Sequence, residues 1–160
     1  FGDGMQVAAV SLIGKSLGQQ KLDLAKTYGH ACQFIGVVIS VVFAIVLLVG
    51  GRTLNQFFFA DESVIEMGVM IARFVAVIVL FQISQIIYGG CLRGAGDVKY
   101  TLVVALISVT IIRPILTWVL TSVFSLGLVG IWLGVLSDQL TRFTLLRIRF
   151  HQGKWVEYKI

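Results

Sequence analysis

Residues 29–50, GHACQFIGVVISVVFAIVLLVG, hold no Asp, Glu, Lys or Arg along their whole length. A run of about 20 apolar residues matches the hydrocarbon thickness of a bilayer. Lipid offers no partner to open backbone donors, so such a run must be helical. The same reading marks 68–92, 100–123 and 127–146 as further spans, and 5–17 as the end of a fifth. The expected fold is therefore all-α: a polytopic transmembrane helix bundle over 1–146, with a basic and aromatic tail at 147–160. The chain opens at Phe1 inside what reads as a helix, without a signal-peptide layout, and is expected to be a piece of a longer protein.

Composition agrees with lipid as the solvent. Of 160 residues, 58% are hydrophobic and 13% charged, and the mean hydropathy is +0.94. A soluble domain carries about a quarter charged residues. The 17 Gly beside one Pro read as close-packing positions between membrane helices. The net charge of +5 does not gather into one patch, which argues against nucleic acid as a partner. Cys32 and Cys91 stand in neither a CxxC nor a Cys/His cluster, so neither a disulfide framework nor a zinc site is expected.

Basic residues alternate between the connections. Lys15, Lys21 and Lys26 precede the first complete span, whereas Arg52 faces Asp61, Glu62 and Glu66 in the next connection. Arg93 and Lys99 enrich the third, 125–126 is uncharged, and Arg147, Arg149, Lys154 and Lys159 follow the last span. This order obeys the positive-inside rule and places the C-terminus in the cytoplasm of a cell membrane. Phe57, Phe58 and Phe59 suit a short interfacial element at the outer headgroups. Phe150, Trp155 and Tyr158 among the tail cations suit the anionic inner leaflet.

Polar groups inside the spans are the functional candidates, because burying them in lipid is costly. Arg73, near the outer end of its span, reads as a snorkelling side chain. Arg113 lies about 20 Å along its helix and precedes Pro114, which frees a carbonyl one turn back. Gating kink and structural kink both remain open there. Asp138 and Arg142 have the i,i+4 spacing of an intrahelical ion pair, and a proton relay is the less favoured reading. Gln82, Gln85 and Gly89 share a helical stripe, with Tyr88 beside it. Gln82, Gln85 and Tyr88 are the substrate-binding candidates, and interhelical glue is the plain alternative for the amides. Gly127, Gly130, Gly134, Ser137 and Thr141 form a small-residue stripe for helix packing. In Arg93-Gly94-Ala95-Gly96-Asp97, both glycines allow a sharp turn and Asp97 suits an N-cap. Nothing resembles a nucleophile–base pair, catalytic carboxylates or a nucleotide loop, so no enzyme is expected.

In Phe81-Gln82-x-x-Gln85 leading to Leu92-Arg93-Gly94-Ala95-Gly96-Asp97, the chain resembles the tenth helix and following loop of multidrug and toxic compound extrusion (MATE) transporters. AAVSLIGKSLGQQKLDLA (8–25) is similar to that family's eighth helix and cytoplasmic exit. Gly130-Ile-Trp132, Asp138, Arg142 and Arg149-Phe150-x-x-Gly153-Lys154-Trp155 resemble its last helix and tail. The resemblance implies a fragment of a twelve-helix, two-lobe antiporter that exports small organic cations by alternating access. A proton or sodium would be the coupling ion, with no other cofactor. A first lobe would lie outside this chain. Part of the family carries a carboxylate where Gln85 stands, and an amide cannot titrate there. The resemblance therefore places coupling in the first lobe. A lipid-linked sugar flippase of the same superfamily and a non-transporting scaffold module are the alternatives.

Overall fold

The computed structural model describes residues 2–153 and Trp155. Among these residues six α-helices follow one another: α1 (Gly2–Gly18), α2 (Leu22–Phe58), α3 (Glu62–Gly94), α4 (Val98–Ile107), α5 (Arg113–Trp118) and α6 (Gly127–His151). No strand occurs among the described residues. Two π-helical turns, Ser108–Ile112 and Val119–Val123, join onto α5 and make one continuous helical run of 98–123. Among the described residues, three helical runs, Leu22–Phe58, Glu62–Gly94 and Val98–Val123, are long and apolar enough to cross a membrane. Even the shortest, 26 residues, rises about 39 Å at 1.5 Å per residue, more than a hydrocarbon core of about 30 Å. α6 has 25 residues but is more polar, because Asp138, Gln139 and Arg142 interrupt its apolar face.

α3 is the central element, packed against α1, α2 and α6, while α5 and both π turns lie on α6. Small residues set two of these approaches. A Cβ on Gly94 would stand 2.7 Å from the Val10 carbonyl oxygen, and one on Gly90 would stand 2.9 Å from that of Gln6. On α6, a Cβ on Gly130 would meet the Leu120 backbone at 3.0 Å, and Gly134 faces Thr117 just as closely. The glycine spacing thus brings α1 onto α3 and the end of the 98–123 run onto α6.

Three local expectations change. The Phe57–Phe59 triplet forms no separate interfacial element. α2 runs through Phe58, and only 59–61 separate it from α3. Asp61 starts α3 by accepting from the Ser63 backbone N–H at 3.0 Å and its hydroxyl at 2.8 Å, and these bonds hold its carboxyl below the usual aspartate value. The three rings remain exposed. The 100–123 span carries two π turns, one on each side of α5, rather than a single break at the proline. Pro114 has no N–H for the Thr110 carbonyl, and the first π turn absorbs that break.

The tail differs too. Arg147–His151 are the last turn of α6. Phe150 and Trp155 do not face a headgroup layer but are buried. Their rings stack at 5.1 Å with 13° between planes, and Trp155 donates its Nε1–H to the Phe150 carbonyl at 2.7 Å. Phe150 also closes over Gly29 of α2, where no side chain would fit. Lys154 and residues 156–160, with Tyr158 and Lys159 of the expected leaflet-facing set, lie outside the described residues.

Candidate functional site

The Arg93–Asp97 segment ends α3 and starts α4. Gly96 takes φ +86°, in the left-handed region, whereas Gly94 stays helical and serves contact rather than turning. Asp97 occupies the N-cap position of α4, but its side chain makes no capping bond. It accepts instead from Arg149 Nε at 2.7 Å. The Arg149 guanidinium lies 4.9 Å from the Tyr100 ring centroid, and the Tyr100 hydroxyl donates to the Leu145 carbonyl at 3.3 Å. The Asp97 carboxylate thus points to a partner 52 residues away rather than to the first turn of its own helix. The turn is thereby fastened to the end of α6.

Deeper in the bundle, Asp138 forms the expected pair with Arg142. Nε donates to Oδ1 at 3.0 Å and Nη2 to Oδ2 at 2.6 Å. The sequence reading missed the third member. Ser108, fully buried at the first residue of the π turn, donates to Asp138 Oδ1 at 2.5 Å. Ser108 is one of several hydroxyl residues in the 100–123 run, so the sequence carried no signal that singled it out. Both carboxylate oxygens are therefore engaged, and the π turn is tied to α6 at its polar point. Arg113 and Pro114 stand one turn further along in an open groove with Thr117 and Trp118. Arg73 is exposed and borders a cleft with Arg52 and Glu66.

The three substrate candidates do not converge. Gln85 and Gly89 share a pocket of about 370 Å³ with Arg93, Arg142 and the α4 residues Val98 and Leu102. Gln82 lines a different groove of about 290 Å³, with Asp3, Phe43 and Val79. Tyr88 is buried among aromatic rings, its centroid 5.3 Å from Phe150 and 6.1 Å from Phe143. A stripe on one helix shares a general direction, but neighbouring helices divide it. Among the described residues, no group of three or more His, Cys, Asp or Glu could hold a metal ion.

The order of the helices, the turn between α3 and α4 and the polar α6 can be compared with known proteins. The MatE family model matches residues 1–119. The chain belongs to the MatE family. It is 25% identical over 152 residues to the probable multidrug resistance protein NorM of Thermotoga maritima, covering 95% of this chain and 33% of that protein. It is 28% identical over 132 residues to multidrug and toxin extrusion protein 1 of Oryctolagus cuniculus, covering 82% of the chain and 23% of that protein. The uncharacterized transporter C4B3.13 of Schizosaccharomyces pombe is 29% identical over 132 residues, covering 82% and 24%. The MatE chain thus spans a third or less of these relatives. The family consists of membrane transporters, not enzymes. Read within that family, the long apolar helices are membrane spans.

Proposed function

We propose that this chain supplies helices of the second lobe of a secondary antiporter that exports organic cations by alternating access. A first lobe completes the transport cleft, and the protein sits in the plasma or inner membrane with its C-terminus in the cytoplasm. The alternation of Lys and Arg between connections supports that orientation. The names of the relatives, with multidrug resistance and toxin extrusion among them, support the substrate class.

The observation that carries the cation reading is the groove between α1, α2 and α3. Its lining contains the Asp3 carboxylate, the Phe43 ring and the Gln82 amide, and no arginine or lysine. A carboxylate and an aromatic face are the groups that hold an organic cation. The Gln85 pocket, bordered by two arginines, repels one. Of the candidate stripe, the proposal therefore assigns substrate contact to Gln82. Coupling to a proton or sodium is assigned to a carboxylate of the first lobe, since Asp138 is committed on both oxygens.

Asp3→Asn and Gln82→Ala in the full-length protein test the assignment by tetraphenylphosphonium binding at equilibrium. Losing the carboxylate is expected to weaken binding on the order of tenfold, and losing the amide a few-fold. Unchanged binding in Asp3→Asn overturns the groove as the cation site.

A further inference from the structure

The pocket between α3, α4 and α6 has the wrong charge for a cation, and its chemistry suits a different ligand. Arg93 does not extend away from α3. It folds back, with Nε donating to the Gly89 carbonyl at 3.0 Å. A Cβ at position 89 would come within 3.4 Å of Arg93 Nη2, so the glycine gives the guanidinium room to lie against the helix. The other Arg93 nitrogens have no hydrogen-bond partner among the described residues. Arg142 contributes to the same wall while held by Asp138.

The second observation is Gln85. It is only 8% exposed and makes no hydrogen bond among the described residues, yet it borders the pocket. With no partner among the described residues, its amide opens onto the pocket, so a ligand there could bond to it. The folded-back guanidinium sits near the level of Gly89, about 6 Å along the helix from Gln85. Between the two, a ligand would meet a cationic end and then an amide. Apart from Thr101 the remaining wall is apolar, with Val98 50% and Leu102 57% exposed on α4, so the pocket opens beside a largely apolar helix face. By the positive-inside reading, Arg93 and neighbouring Lys99 lie at the cytoplasmic end.

We infer that this pocket binds the phosphate and glycerol region of an anionic phospholipid of the inner leaflet. Arg93 holds the phosphate, the Gln85 amide donates to a glycerol ester, and the acyl chains run over Val98 and Leu102. Arginine suits phosphate by its planar fork of donors, and basic pockets between spans at the cytoplasmic side are where anionic headgroups bind. The inference is independent of the cation groove, which lies on the α1 and α2 side of α3.

The test uses full-length protein in nanodiscs of phosphatidylcholine alone or mixed with phosphatidylglycerol, read by thermal unfolding and by native mass spectrometry of retained lipid. Phosphatidylglycerol is expected to raise the melting temperature and remain bound. Arg93→Gln should weaken its apparent affinity on the order of tenfold while melting normally in phosphatidylcholine, and Arg93→Lys should retain most of it. Leu102→Trp, which fills the apolar wall, gives a second route and should also displace the lipid. Equal responses to both lipids, or a phosphatidylglycerol response that survives Arg93→Gln and Leu102→Trp, overturns the proposal. So does a full response to millimolar inorganic phosphate, which would make the ligand a free anion.

Discussion

Replacing Asp138 by Asn isolates the polar point that ties the 98–123 run to α6. The side chain keeps its shape and can still accept from Ser108, but it can no longer balance Arg142. The side chains of Asp138 and Arg142 are 1% and 18% exposed. Removing one partner of a buried ion pair costs about 3–5 kcal/mol because the other charge is left uncompensated. Arg142 keeps some access through the pocket, which favours the lower end, about 3 kcal/mol. Ser108→Ala removes only one hydrogen bond. Such bonds between membrane helices average about 0.6 kcal/mol and reach about 1.7, so a loss near 1 kcal/mol is expected. The double variant Asp138→Asn with Arg142→Gln removes both charges and should recover at least half of the single-variant loss. Unfolding of purified full-length protein in graded SDS, at fixed detergent, gives all three values. If Asp138→Asn costs no more than Ser108→Ala, or the double variant is worse than either single one, the pair does not hold these helices together.

Two further outcomes follow from contacts elsewhere. Gly94→Ala places a methyl group 2.7 Å from a backbone oxygen of Val10, which cannot rotate away. A loss of about 1–3 kcal/mol is expected from overpacking in the same SDS assay, whereas Gly4→Ala, with nothing within 4 Å, should be neutral or slightly stabilising. Asp61 accepts both Ser63 donors, so its folded carboxyl titrates below its unfolded value. Its stabilisation of the α3 start is complete above the unfolded value and fades as pH falls through the folded one. A carboxyl NMR titration should show the depressed midpoint, and Ser63→Ala should move it back up.

Hydropathy alone was enough for the helical class, because lipid removes every alternative to a helix, whereas α2 and α3 run well past the expected ends of their apolar stretches. The Asp138–Arg142 pair was legible for a similar reason: its partners are four residues apart on one helix. Ser108 was not legible, since its role depends on which helix packs against α6 and on a π turn that rotates it inward. Tyr88 shows the limit of stripe reasoning. Its position lies beside Gln85, but its ring belongs to the cluster with Phe143 and Phe150. Trp155 looked interfacial by composition, yet a stacking partner five residues earlier draws it into the core. Asp97 was placed correctly at a helix start, and a distant arginine decided what its carboxylate does there.

The most direct test of the central claim is transport by the full-length protein in proteoliposomes loaded with a cationic dye. An imposed proton or sodium gradient should drive dye movement against its own gradient, and collapsing the ion gradient should stop it. Absence of ion-driven dye movement under either gradient, in protein shown to be folded and inserted, would contradict the account.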